Sequence, residues 1–379
     1  MPFLPPATDN LKLRIAYGRA GNKPNFNNKF TFLTTLNEEQ FVGLRPSTLN
    51  GLPTIKPEQT TELEGGFDAQ FFNGRAALDF TQYRKQSDDL ILTAALAPST
   101  GFTAQVINGG QLVNHGTEIG LTMQPIQRGG FDWISRTTYA SNKGKITRLP
   151  VPKFDVGNRF SERYGIGRIE QGFSPTQVMV FWGWDSTFAN GARGSAGCPI
   201  GVPPATCGAF VSRARHELHA GDSNPDYQMG FSNDFTFGPL KLATLVDWRK
   251  GGKTANLTAN YFDGNLVGGS WADTAATRQR YQVDFLQNGY GVYLENSGFV
   301  KIREITLSYT VPQSFANAFM RGGRDVRLEF SGRNLKTWTK YTGLDPEVSN
   351  FGNVAVGRIQ DVTPYPPSRS YFFSIATDF

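Results

Sequence analysis

Long strands of two-residue period, joined alternately by tight turns and by long irregular segments, constrain this chain more than any other feature. The clearest pair joins Thr61–Phe72 to Arg75–Lys85 through Asn73-Gly74, the dipeptide that best tolerates the two positive φ angles of a type I′ turn. The register follows at once. Phe72 faces Arg75, and one face then collects Phe71 with Ala76, Ala69 with Leu78, Phe67 with Phe80 and Gly65 with Gln82. The other face is polar and sets Glu64 against Tyr83 and Glu62 against Lys85, the last a favourable cross-strand ion pair. Asp68 opposite Asp79 is unfavourable there and is tolerable only where water screens it.

Three further units repeat the design. Thr117, Ile119, Leu121 and Met123 alternate with Glu118, Gly120 and Thr122, and after Arg128-Gly129-Gly130 the return strand shows Phe131, Trp133, Ser135, Thr137 and Tyr139. Tyr227, Met229, Phe231, Phe235 and Phe237 lead through Gly238-Pro239 to Leu240, Leu242, Val246 and Trp248. Ile305, Leu307 and Tyr309 precede a short helical connection led by Pro312, after which Val326, Leu328 and Phe330 alternate with Arg327, Glu329 and Arg333. These strands run to about 10–13 residues, against a usual mode of about 5–6. At about 3.3 Å per residue and a tilt near 45°, that length spans the hydrocarbon layer of a bilayer.

The segments from Gln86 to Gln111, Ser141 to Thr176, Asp185 to Asn224 and Gly251 to Gly298 are expected to be irregular. Short turns at one end and long loops at the other predict an all-β fold, an antiparallel transmembrane β-barrel with periplasmic turns and extracellular loops. A soluble β-sandwich needs a second apolar sheet face and rarely carries loops this long. The last strand fits the barrel: Tyr371, Phe373, Ile375, Thr377 and Phe379 share one face, and the chain stops on its most apolar segment. Lipid is the expected cover.

Composition agrees. Hydrophobic residues make 39%, aromatics 13%, and mean hydropathy is -0.36, with no apolar run approaching the roughly 18 residues of a membrane helix. Barrel strands escape that test, because only alternate residues meet lipid. The net charge of +6 forms no basic cluster, so no nucleic-acid partner is expected. Met1–Asn10 holds three prolines and lacks the charged start and apolar core of a secretory signal, so either the signal was removed or the sequence is a piece of a longer chain. Cys198 and Cys207, the only cysteines, flank a Gly/Pro-rich run; a local disulfide outside the cytoplasm is the expectation, with two free thiols the alternative.

Chemical motifs are weak, and neither an enzyme nor a cofactor is expected. His216-Glu217-Leu218-His219 lacks the His-Glu-x-x-His spacing that places two imidazoles on one helical face, so it is read as a solvated loop with no metal. Gly252-Lys253-Thr254 resembles the end of a phosphate-binding loop, yet Asp247 stands where the first glycine belongs and no helix signal follows. No motif places a Ser, Asp or Cys beside His115. Exposed aromatics are a better lead: Trp182, Trp184 and Trp271 are candidates to stack on a ligand, with an interfacial girdle the competing reading for the first two. Trp133 and Trp248 read as girdle or lipid-facing residues.

The assembled passages resemble the C-terminal half of SusC/RagA-type TonB-dependent outer-membrane receptors. They are Lys56–Asp68, Gly101–Gly110 with Asn114–Glu118, Gly221–Asp226, Gly332–Leu335 with Thr339–Glu347, and Tyr365-Pro366 leading to Arg369 and the final strand. The resemblance implies a 22-stranded barrel with an N-terminal plug in the outer membrane of a Gram-negative bacterium. It also implies coupling to TonB-ExbB-ExbD and a SusD-like surface lipoprotein that helps capture glycans or peptides. On this reading residues 1–379 are the C-terminal barrel part, about ten or eleven strands, with the plug absent. Such a sheet has lipid-exposed edges that cannot persist alone. Glu62, Glu64, Asp68, Arg327 and Arg333 are expected to face the lumen, and Tyr371, Phe373 and Phe379 to mark the closing strand for barrel assembly.

Overall fold

The structure, a computed structural model, describes residues 7–38, 41–157, 166–181, 217–264, 274–278, 280–281, 291–315, 325–351 and 357–378. Ten strands build one sheet in which each pairs antiparallel with the next. They are β1 (Thr8–Asn22), β2 (Glu58–Phe71), β3 (Ala76–Asp88), β4 (Gln111–Arg128), β5 (Phe131–Arg148), β6 (Pro225–Phe237), β7 (Leu240–Gly251), β8 (Phe299–Val311), β9 (Asp325–Thr339) and β10 (Ser370–Asp378). The sheet is open, with β1 and β10 at its edges.

The register of the β2–β3 hairpin is the one expected from the sequence. In β2–β3, Phe71 pairs with Ala76, Glu64 with Tyr83 and Glu62 with Lys85. The left-handed stretch begins one residue earlier than a two-residue turn requires, with φ of 59° at Phe72, 55° at Asn73 and 78° at Gly74. The start of β1 holds it: the Phe72 amide donates to the Ala7 carbonyl at 3.0 Å, and the Gly74 amide to Asp9 Oδ2 at 2.8 Å. Gly129 and Gly130 turn β4 into β5 with φ of 62° and 82°, a region open to glycine at little cost. Gly238-Pro239 joins Phe237 to Leu240 directly.

Two expectations about the strands need correction. β1 was not anticipated, although Leu11, Leu13, Ile15 and Tyr17 alternate along it and pair with Ala69, Phe67, Gly65 and Leu63. Strand lengths also exceed the expected range: β4 and β5 have 18 residues each, about 60 Å at 3.3 Å per residue. Even tilted, that is longer than a bilayer's hydrocarbon layer of about 30 Å. Residues from Ser141 to Arg148, expected to be irregular, continue β5 beyond the length a membrane needs.

The remaining long segments are not structureless either. Phe154–Val156, Ile166–Ile169, Gln177–Phe181 and Glu217–Asp222 form one small sheet, Lys253–Asn256, Leu294–Asn296 and Gln360–Asp361 another, and Leu49–Asn50, Ala104–Asn108 and Ile91–Ala95 a third. Helix α1 (Leu257–Asp263) starts at Asn256, whose Oδ1 accepts from the Ala259 amide at 2.9 Å.

The most buried residues sit in these loop structures. Ile166, Val178, Met179, Asn256, Leu257 and Asp361 are all at most 2% exposed. The large sheet instead carries apolar side chains outward, with Ile15 82%, Leu13 76%, Phe373 67%, Tyr371 61% and Ile375 57% exposed. Aromatic pairs bind adjacent strands on this outer face, Phe67 stacking with Phe80, Trp133 with Phe235 and Phe330 with Tyr371. Among the described residues, no helix is long and apolar enough to cross a membrane.

The ladder shifts register at several points, two of them beside basic side chains. Opposite Trp133 and Ser135, β4 carries an extra residue at Gln124-Pro125, where proline has no N–H to give. At the bulge the Arg75 guanidinium donates to the carbonyls of Gln124 at 3.0 Å and Pro125 at 2.9 Å. In β8 the ladder shifts between Ile302 and Glu304, which frees Arg303 for the polar contacts described below.

Candidate functional site

The face opposite the apolar one is where the charges collect, because strand alternation leaves each apolar residue a polar neighbour. On β1–β3, Arg14 Nη2 lies 2.9 Å from Asp68 and 3.2 Å from Asp79. The Asp68–Asp79 opposition is real, but a guanidinium from the neighbouring strand relieves it, where screening by water was expected. Lys85 Nζ lies 3.8 Å from Glu62.

These groups border a basin of about 600 Å³ lined by Arg14, Glu62, Glu64, Asp79, Tyr83 and Glu118, among others. A second hollow of about 270 Å³ shares Tyr83, Glu118 and Asn142 with it and extends to Gln228 and Arg358. The Tyr83 ring closes on residue 116 at their junction, where a Cβ would stand 2.1 Å from it and glycine leaves the room. Gly116 belongs to the Asn114–Glu118 passage quoted above, and this close approach supplies a physical reason for its glycine.

A second charged cluster pins the segment after β9 to the sheet. Lys301, 3% exposed, donates to both Asp345 carboxylate oxygens at 2.8 Å and to Glu347 at 2.9 Å. Arg303 forks onto Glu347, both bonds 2.7 Å, and reaches Asp247 at 2.5 Å. Burial pushes the Glu347 carboxyl up, but the hydrogen bonds from Arg303 and Lys301 outweigh it and hold it at about 2. Further along the same segment, Tyr341 donates to Asp361, whose other oxygen accepts from the Thr258 amide at 3.2 Å. Burial, then the Asp361 charge, drives the Tyr341 hydroxyl upward, and burial raises Asp361 as well. This segment is fastened at several points.

Of the residues singled out from sequence, Glu62 and Glu64 line the basin and Asp68 borders it through Arg14. Arg327 and Arg333 lie far across the sheet on β9. Arg333 pairs with Glu304 at 3.1 Å and sits 5.2 Å over the Phe372 ring. Tyr371 and Phe373 pair with Gly332 and Phe330 on the apolar face. Trp182, Trp184, Trp271, Cys198, Cys207, His216 and Phe379 lie outside the described residues; the strand leading to Trp182, Gln177–Phe181, belongs to a loop sheet.

His219 lies on a strand, Glu217–Asp222, and not in a loop; its part-exposed ring stacks on Phe173 at 3.8 Å and bonds Gln177 at 2.8 Å. Among the described residues no group of His, Cys, Asp and Glu could hold a metal. A helix does follow Gly252-Lys253-Thr254, contrary to the sequence reading, but Lys253 and Thr254 are extended and pair with Asn296 and Glu295, so no phosphate cradle forms. Sequence reasoning missed Arg14, Lys301, Arg303 and Arg358, which only the assembled strands and loops bring beside the groups they meet, and it placed Tyr83 opposite Glu64 without finding the hollows it lines.

A family profile described as "TonB dependent receptor-like, beta-barrel" matches residues 6–335. The chain belongs to the TonB-dependent receptor β-barrel family. This receptor barrel is an outer-membrane protein of a Gram-negative bacterium. It is 26% identical over 376 residues to TonB-dependent receptor P26 of Formosa agariphila, covering 92% of this chain and 37% of that protein. It is likewise 26% identical over 409 residues to TonB-dependent receptor SusC of Bacteroides thetaiotaomicron, covering 98% of this chain and 38% of the relative. The chain therefore spans less than two fifths of these relatives' lengths. Among solved structures, the RagAB peptide transporter superposes with a TM-score of 0.76 at 21% identity, covering 100% of this chain and 42% of that one. The SusC/RagA resemblance read from the sequence is thereby shown.

Proposed function

We propose that this receptor barrel is the C-terminal part, residues 1–379, of a TonB-dependent importer that carries an oligosaccharide or oligopeptide across the outer membrane. The observation that carries the reading is the inside-out sheet: apolar side chains on the outer face, ion pairs and hollows on the other, with small sheets built into the long connections. A wall of that kind faces lipid on one side and water on the other. Glu62, Glu64, Asp68, Arg327 and Arg333 belong to the hydrated wall of the lumen in this proposal, and Trp182, Trp184 and Trp271 to ligand contacts at the mouth. Tyr371, Phe373 and Phe379 mark the closing strand for assembly, and Cys198 and Cys207 form a disulfide between loop residues.

Transport of this type breaks no bond in its cargo. TonB-ExbB-ExbD acts through a plug outside this sequence, and a SusD-like lipoprotein covers the loop end. The affinity to SusC supports the choice of an oligomeric nutrient over a siderophore or vitamin. Disruption of the gene tests it: growth should fail on one class of glycan or peptide and persist on free iron and cobalamin. Loss of growth on iron or cobalamin alone would overturn the nutrient class. Recovery of the protein in a detergent-free soluble fraction would overturn the transporter itself.

A further inference from the structure

Charge is divided unequally between the two faces of the sheet. On β2–β5 the polar face carries Glu62, Glu64, Asp68, Asp79 and Glu118, whereas the alternate positions, on the outer face, hold a single carboxylate, Asp88. Gln86 and Gln111 donate to Asp88 at 2.9 and 2.6 Å. Basic side chains of the outer face gather at its loop end.

Phe80, Ile119 and Tyr139 pair in register across β3, β4 and β5 on the apolar face. Four residues nearer the loop end of each strand, an even step that keeps a side chain on the same face, stand Arg84, His115 and Lys143, themselves in register. Lys145 follows on that face of β5, and all four are exposed. Arg84 donates to Gln86 Oε1 at 2.8 Å. None of the four has an ion-pair partner among the described residues.

Their depth fixes what they meet. From Phe131 at the turn, Lys143 lies about 12 residues along β5, a climb of about 28 Å at 3.3 Å per residue and a tilt near 45°. The hydrocarbon layer is about 30 Å thick. Tyr139, Tyr227 and Trp248 pack against one another beside this level, residue types that favour the membrane–water interface. A Lys or Arg on the lipid face is costly at the bilayer centre and nearly neutral at its boundary. The patch therefore lies where acyl chains end and headgroups begin. Arg84 and Lys143 stand two strands apart, about 10 Å, a span comparable to a sugar headgroup. Because the short turns of an outer-membrane barrel are periplasmic, the loop end meets the outer leaflet, which is built of phosphorylated glycolipid.

We propose that Arg84, His115, Lys143 and Lys145 bind the phosphorylated headgroup of that glycolipid, lipopolysaccharide. The guanidinium and ammonium groups hold phosphate oxygens, the imidazole bonds sugar hydroxyls, and the row of Phe80, Ile119 and Tyr139 lies against the acyl chains. The site rests on the outward assignment of the apolar face and is independent of the cargo.

The test is native mass spectrometry of the full-length receptor, purified from outer membranes and delipidated in detergent. It is titrated with lipid A carrying its phosphates, with the same lipid A stripped of them, and with phosphatidylglycerol. The phosphorylated form should bind about tenfold tighter than the stripped form. Lys143→Gln and Lys145→Gln should each weaken it about fivefold, the worth of one basic residue at an anionic lipid surface, and leave the stripped form unchanged. Lys241→Gln removes the same charge from the polar face, where it pairs with Asp234, and should change neither. Equal binding of the two forms of lipid A, or no loss in the Lys143 and Lys145 variants, overturns the proposal. Equal binding of phosphatidylglycerol overturns it too, since any anionic surface would then suffice. Where a variant does not reach the membrane, the two forms of lipid A on the unsubstituted protein decide. The importer reading stands through all of these results and falls only with growth and fractionation.

Discussion

Arg14 shows how a single residue settles a conflict that its neighbours create. Asp68 and Asp79 face each other across β2 and β3, and like charges directly opposite are destabilising. A guanidinium 2.9 Å from one and 3.2 Å from the other turns the repulsion into a bridge. All three groups are at least a third exposed, so water screens much of the gain. Arg14→Ala should therefore cost about 1 kcal/mol in urea unfolding, and Asp79→Asn in the Arg14→Ala background should restore most of it. A double-mutant cycle measures the coupling; a value near zero would show that solvent alone separates the two aspartates. The conflict was legible in the sequence, from the Asn73-Gly74 register. Its resolution was not, because Arg14 lies more than fifty residues upstream and β1 had to be placed first.

At the scale of the element, the segment after β9 and the final strand make different demands. The segment is held by Glu347, whose carboxyl sits at about 2. A depressed carboxyl stabilises the folded form fully above the ordinary carboxylate range and loses that contribution as pH falls toward the folded value. Protection of the Glu347 amide, which donates to Asp345 at 2.8 Å, measured against the intrinsic exchange rate at each pH, should therefore be constant from pH 7 down to about 5 and fall below about 4. Loss of protection already between pH 8 and 6 would assign the fastening to another group.

The final strand tests the two faces of the sheet. Phe373 pairs with Phe330 on the apolar face and Ser374 with Glu329 on the polar one. Phe373→Arg should destabilise the membrane-inserted protein by about 2–4 kcal/mol, and Ser374→Arg by less than about 1 kcal/mol. Denaturant unfolding in lipid vesicles gives both, and equal costs would refute the assignment of lipid to the outer face. That alternation could be read from residues 371–377 alone, since a strand needs no partner to decide which side chains share a face.

The whole molecule is governed by its edges. β1 and β10 each have one neighbour in the ten-stranded sheet, and a backbone edge in hydrocarbon leaves N–H and C=O groups without partners at several kcal/mol each. Refolded alone in detergent, the 379-residue chain should give no heat-modifiable band on electrophoresis, whereas co-refolding with strands that complete the barrel should produce one. A heat-modifiable species from the chain alone would mean that its two edges find each other.

Strand period, turn chemistry and the absence of a membrane helix were determined by sequence alone, and with them the fold class, because alternation and left-handed turn residues act over a few neighbouring positions. The family, too, was carried by local passages. The tertiary structure decided which charges meet: Arg14 with two aspartates, Lys301 and Arg303 with Asp345 and Glu347, Tyr83 over Gly116. It also decided that the long segments fold into small sheets with a buried core of their own. Those contacts join residues distant in sequence, and an ion pair or a close approach depends on strand order and loop placement, neither of which is written in any one stretch of chain.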